Sequence, residues 1–105
     1  MHLQLGALEA RVPLVGITGL LYSPWRAAAR PAGGVLHGFY VFACLRQFFL
    51  RIAACRQAPA EEIAHVAHRV LQIEAEIEAV NLSELIGHLT PDGARLVVTL
   101  VVTLV

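Results

Sequence analysis

The side chains best suited to chemistry lie close together near the middle of the chain. Glu61 and Glu62 are followed by His65 and His68, so two carboxylates and two imidazoles fall within a short stretch. Residues three and four positions apart are neighbours on a helix, which places Glu61, His65 and His68 on one face. Imidazole nitrogens are good ligands for zinc, copper or nickel. These four residues are the candidate metal ligands of the sequence.

The segment Glu62-x-x-His65 resembles the Glu-x-x-His element of the ferritin-like carboxylate iron proteins. The resemblance implies that Glu62 would bridge two metals, that His65 would complete one coordination sphere, and that facing helices would add carboxylates. No Asp or Glu occurs between Arg11 and Ala60, so the preceding helix cannot supply them. We therefore favour no metal and no cofactor, and interpret Glu61 and His65 as a pair on a solvated face.

None of the residues that could support catalysis belongs to a complete catalytic motif. Ser23 and Ser83 lack the glycine context that positions a nucleophilic serine. Gly33-Gly34 precedes a predicted helix, but no phosphate-binding Lys follows it, and the chain contains no Lys. Cys44 and Cys55 fall in an apolar predicted helix, where burial makes a thiol inert. The sequence favours a protein that is not an enzyme.

Apolar periodicity predicts a helical hairpin formed by residues 35–56 and 59–80. The first helix is apolar nearly all round, which is typical of a buried helix. In the second, Pro59 suits the first turn, and the glutamates that follow complement the helix dipole. Six apolar residues of this helix repeat at intervals of three and four and form what we call the seam: Ile63, Val66, Val70, Ile73, Ile77 and Val80. The predicted fold is mainly α, in a single small domain spanning residues 1–105.

The segments flanking the hairpin are predicted from their turn and propensity signals. Ser23-Pro24 is a good helix start, so a short helix is expected to run to about Arg30. The stretch 81–84 either caps a further short helix ending near His88 or bends the one before it. The tail beyond Arg95 contains only Val, Thr and Leu, which favours a strand. We expect the apolar N-terminal and C-terminal segments to cover the hairpin or to pair with each other.

The composition indicates a protein that makes contact with other molecules through apolar surface. Hydrophobic residues are 57% of the chain, charged residues are 15%, and the formal net charge is zero. Disordered chains are poor in apolar residues, and nucleic-acid binding needs a basic surplus, so both classes are excluded. A large apolar excess marks a partner or membrane surface. We expect a small structural or interaction protein that forms homo-oligomers, or docks on a larger partner, through the seam.

A membrane-associated protein using residues 35–50 is the first alternative, and a metal-binding helical protein using Glu62 and His65 is the second. The apolar stretch 35–55 is long enough to span a bilayer. However, each of Arg46 and Arg51 would cost roughly 2.5–3.5 kcal/mol near the bilayer centre. The first ten residues contain no Arg or Lys, so the charged head of a secretory signal is missing. We therefore predict a cytoplasmic protein, with Arg46 and Arg51 packed against neighbouring aromatic rings.

Overall fold

Helices dominate the fold, as the sequence predicts. A computed structural model of the chain describes residues 2–55 and 57–103. Its helices and strands follow one another as α1 (His2–Glu9), β1 (Leu20–Ser23), β2 (Ala28–Pro31), α2 (Ala32–Ala53), α3 (Ala60–Glu78), α4 (Leu82–Gly87) and α5 (Pro91–Thr103). The chain is 66% helical with one two-stranded sheet, which confirms the mainly α fold.

The predicted helical hairpin is present as α2 and α3, which pack against each other along their lengths. α2 begins at Ala32 rather than at Val35, because Pro31 at its N-cap has the extended conformation that admits a helix after it. Gly33 and Gly34, which the sequence analysis places before the helix, lie instead in the first turn of α2. There the N–H groups have no intrahelical acceptor in any case, so a weak helix former costs less. α3 follows Pro59 as predicted.

The short helix predicted after Ser23-Pro24 is wrong, since β1 and β2 form an antiparallel hairpin there, with Tyr22 opposite Ala29. Alternate residues of β1, Leu21 and Ser23, are buried, while Leu20 and Tyr22 are exposed. The connecting turn includes Ala27 in the left-handed region, with φ of 50°. A helix of this length would be marginal alone, whereas the hairpin buries one face against α2.

The strand predicted for the tail is also wrong, because these residues form α5. Thr90 begins the helix: its Oγ1 accepts a hydrogen bond from the Gly93 N–H at 3.1 Å and donates one to the Pro13 carbonyl at 2.7 Å. Pro91 then occupies the first helical position, where it is favoured. Val97 is fully buried against the core. Burial of one helical face therefore outweighs the preference of β-branched residues for strands.

The terminal segments cover the hairpin and also contact each other. α1 and α5 both pack on α2, which lies at the centre of the molecule. A single antiparallel bridge joins Val15 to Leu89. Asn81 caps α4, since its Oδ1 atom accepts a hydrogen bond of 3.1 Å from the Glu84 N–H. Of the two interpretations of residues 81–84, the capped short helix is therefore the one found. The hydrophobic core lies where α1, α3, α4 and α5 meet α2. Its largest fully buried side chains are Phe39, Leu5, Leu36, Ile73, Leu85, Val35 and Val97.

Candidate functional site

The candidate metal ligands all lie on the exposed side of α3. Glu61, Glu62, His65 and His68 are each exposed, and no hydrogen bond joins either histidine to a carboxylate within residues 57–103. Glu61, Glu62 and His65 border a shallow depression of about 370 Å³ whose other walls are apolar. Within the described residues, no three His, Cys, Asp or Glu side chains are placed to hold one metal ion. The absence of a bound metal stays a prediction.

Two other histidines have structural partners. His37 Nε2 lies 3.1 Å from Glu9 Oε2, which links α2 to α1. His88 Nδ1 lies 2.9 Å from the carbonyl oxygen of Glu84, within its own turn of chain. Neither is close enough to His65 and His68 to join them in a metal site of the described chain.

The seam is buried within a single chain. Ile73 is fully buried, Val66, Val70, Ile77 and Val80 are each at most 7% exposed, and Ile63 is half-buried. The partner of the seam is α2, to which α3 is also tied by a hydrogen bond of 2.9 Å between Arg46 Nε and Glu74 Oε1. Contact of the seam with a second chain stays a prediction. In the folded chain, the side chains accessible to a partner are mainly those outside the seam.

The arginines of α2 pack differently from the prediction. Arg46 forms an ion pair with Glu74, although it was expected to contact an aromatic ring. The cation–π contact found in the described chain joins Arg69 of α3 to the Phe42 ring, at 5.7 Å from the ring centroid. Both contacts cross the interface between α2 and α3. These charged contacts therefore flank the apolar interface between the two helices.

The cysteines are free thiols in two different environments. Cys44 is half-buried on α2, but Cys55 is exposed and follows the end of α2, so the expectation that both are buried inside the helix is wrong for Cys55. Burial raises the pKa of Tyr40, and the adjacent Cys44 raises it further.

A groove between α2 and α5 presents exposed apolar side chains. It has a volume of about 690 Å³ and is lined by Ala43, Cys44, Gln47, Phe48, Arg51, Leu100 and Val102. Phe48 is 56% exposed and Val102 is 66% exposed. Val98, one helical turn before Val102, is exposed as well. We call Phe48, Val98 and Val102 the α2–α5 face.

Sequence reasoning missed the α2–α5 face because it assigned the tail to a strand. On a strand, Val98 and Val102 would share a face with Leu100. On the helix they are one turn apart, and Val97 takes the buried position instead. The signal that would have identified the helix is Thr90-Pro91-Asp92, an N-cap residue followed by proline and an acidic first turn.

α2 is also the one described helix that is long and apolar enough to cross a membrane, judged by length and composition only. The core helix of a protein that never enters a bilayer passes the same test. In this fold the first half of α2 is buried by protein, with Val35, Leu36 and Phe39 fully inaccessible. The second half carries Arg46 and the exposed Phe48.

Comparison with known proteins adds no relative. No protein-family model matches the chain, and no curated protein is significantly similar to it in sequence. Function therefore has to follow from the chain's own geometry.

Proposed function

We propose that the protein is a small helical interaction subunit that self-associates through the α2–α5 face. The observation that carries this proposal is the exposure of Phe48 and Val102 on opposite walls of one groove. Large apolar side chains exposed together mark contact surfaces more often than solvated ones. An aromatic anchor beside a pocket is also the usual centre of an interface.

A second copy of the chain is the occupant that the charges favour. None of the described residues that line the groove is a carboxylate, so a strongly basic partner would find no complement among them. The formal net charge is zero, so two copies approach without long-range repulsion. A two-fold contact brings the same face of each copy together, and Gln47 and Arg51 would then lie at its polar rim. The protein needs no catalytic group for this role, and we propose a cytoplasmic location for it.

The shape of the molecule supports association at this end. The Cα radius of gyration is 14.8 Å and the extents are 45 × 28 × 22 Å, whereas a compact domain of this length has a radius near 13 Å. The core cluster includes residues of α2 only as far as Phe49. The end of the hairpin at which α2 runs into α3 is therefore less covered by the rest of the chain, and a second copy of the protein would cover it.

Sedimentation equilibrium over roughly 1–100 μM, the range of ordinary association constants, tests the proposal with Phe48→Gln. Fully burying a Phe side chain is worth about 1.5–3 kcal/mol. Phe48 is 56% exposed in the single chain, so burying the remainder is worth about half of that. A two-fold contact uses each residue twice, so the variant should weaken the dimer by about twentyfold to three-hundredfold. Circular dichroism should show that the variant keeps its helix content, because Phe48 is largely exposed in the single chain.

Leu71→Gln is the matched control, since Leu71 is 64% exposed on α3 and does not line the groove. This variant should associate as strongly as the unaltered protein. A chain that is monomeric throughout the concentration range would contradict self-association. If Phe48→Gln and Leu71→Gln weakened the dimer equally, the α2–α5 face would not be the surface of self-association.

Membrane association through α2 is the second candidate function, favoured by the length and composition of that helix. It would use Val35 to Leu50 and would require the buried first half of α2 to leave its protein contacts. Self-association needs no such rearrangement, because the α2–α5 face is already exposed. We therefore rank self-association first.

A further inference from the structure

A second cavity lies where the β-hairpin meets the start of α2, on different residues from the α2–α5 face. Its volume is about 600 Å³, and its lining includes Ser23, Arg26, Arg30, Gly33 and Gly34. Small-molecule sites typically have volumes of about 300–1,000 Å³. We infer that this cavity binds a small soluble phosphate monoester, with the phosphate group held between the two arginines and the first turn of α2.

The start of α2 offers backbone donors that nothing else occupies in the described chain. Its N-cap is Pro31, which makes no side-chain cap, and its first turn contains no acidic residue. The Ala32 N–H donates to the Gly19 carbonyl, so the next free donors are those of Gly33 and Gly34. Without side chains, the two glycines leave these N–H groups open to the cavity. Such groups, with the helix dipole, favour an anion.

A largely buried serine in the wall of the same cavity makes no side-chain hydrogen bond to the described residues. Ser23 is only 3% exposed and belongs to the inward-facing side of β1, yet no hydrogen bond to its side chain is found within residues 2–55 and 57–103. The indole Nε1 of Trp25, another residue of the cavity wall, is likewise buried without a partner. Buried polar groups are nearly always hydrogen-bonded. An unpaired Ser23 hydroxyl beside an open cavity therefore indicates a ligand that accepts from it.

The charges around the cavity select an anion. Arg26 and Arg30 are exposed and form no ion pair with any residue that the structure describes. His37 also lines the cavity, and its Nε2 atom lies 3.1 Å from Glu9 Oε2. Guanidinium groups match the geometry of phosphate oxygens with paired hydrogen bonds. Two arginines, two backbone N–H groups and a hydroxyl suit the three terminal oxygens of a phosphate monoester better than the two of a carboxylate.

Calorimetric titration of the full chain with glycerol phosphate and with inorganic phosphate tests the inference. Both should bind, whereas acetate at the same ionic strength should not. Arg30→Gln should weaken binding by about tenfold, the loss expected for one charge-assisted contact. Arg11→Gln removes the same charge away from the cavity and should change binding by less than about twofold, since exposed distant charges are screened.

Gly34→Asp separates ligand binding from folding. Nothing lies within 4 Å of a Cβ added at Gly34, and an acidic residue in a first turn stabilises a helix. This variant should therefore melt no lower than the unaltered protein while losing phosphate binding. Lack of phosphate binding by the unaltered protein, or undiminished binding by Gly34→Asp, would overturn the site. The protein is also titrated with vesicles that contain phosphatidic acid. Binding to these vesicles without binding to soluble phosphates would overturn the assignment of a soluble ligand.

Discussion

At the scale of single residues, Gly93 shows how closely the two ends of the chain are packed together. A Cβ at this position would overlap the carbonyl oxygen of Leu14, which itself accepts the Thr90 N–H at 2.8 Å. Gly93 is also buried in the first turn of α5. The backbone of the N-terminal segment therefore approaches α5 at a point where only glycine leaves enough space.

Gly93→Ala should lower the free energy of unfolding by about 1–3 kcal/mol, because the Leu14 carbonyl cannot move without losing its hydrogen bond. Gly6→Ala is the matched control, since a Cβ at Gly6 meets nothing within 4 Å. Alanine is the better helix former, so this change in α1 should raise stability by roughly 0.5–1 kcal/mol. Urea unfolding measures both values. Equal effects of the two substitutions would contradict the close approach at Gly93.

At the scale of elements, the α2–α3 hairpin depends on the seam and on the charged contacts beside it. Ile73 is fully buried, while Leu71, two residues earlier on the same helix, is 64% exposed. The Arg46–Glu74 ion pair lies at the edge of the same interface, with the Arg46 side chain only 13% exposed. The apolar seam supplies the attraction between the helices, and the ion pair satisfies an arginine that their packing largely covers.

Ile73→Asp should therefore destabilise the fold by more than about 4 kcal/mol, since it removes buried apolar area and leaves an unpaired charge inside. Small domains have about 5–15 kcal/mol of stability in total. Leu71→Asp should change stability by less than about 0.5 kcal/mol, as surface substitutions usually do. Thermal unfolding followed by circular dichroism compares the two variants. A cooperative transition of Ile73→Asp at the unaltered temperature would show that the seam does not hold the hairpin.

At the scale of the whole molecule, the distribution of apolar residues decides how the protein meets its surroundings. α2 packs against every other helix and strand of the fold, and its first half contains the fully buried Val35, Leu36 and Phe39. The exposed apolar side chains are spread over α1, the loop before β1, β1, α2, α3 and α5. This distribution favours contact with another folded protein over insertion of one helix into lipid.

The protein should accordingly be released from a membrane fraction by alkaline carbonate. Insertion of α2 would bring Arg46 and Arg51 into the bilayer, each at roughly 2.5–3.5 kcal/mol, and would break the Arg46–Glu74 ion pair. The measurement is the share of protein in the carbonate supernatant, with an integral membrane protein as reference. Recovery only in a carbonate-resistant pellet that detergent dissolves would instead establish the membrane function of α2.

The sequence by itself determined those parts of the fold whose signals are local. The spacing of Ile73 and the other seam residues is a helical period, so α3 and its buried face could be predicted without its partner. The exposure of Glu62 and His65 followed from the same period. α2 was predicted for its length and apolar content, and Asn81 was recognised as a potential cap.

Only the tertiary structure decided the segments whose local preferences were ambiguous or misleading. The Val-Thr-Leu tail has strand propensity, but that preference is small and depends on context, and burial of Val97 against the core makes it a helix. Ser23-Pro24 is a valid helix start, yet burial of Leu21 and Ser23 against α2 makes a β-hairpin. That hairpin carries Arg26 and Arg30 to Gly33 and Gly34. Thr90-Pro91-Asp92 is a local signal for the helix α5, but no local pattern indicates that α5 packs beside Phe48 or that the hairpin packs at the start of α2, because these contacts depend on which element packs on α2.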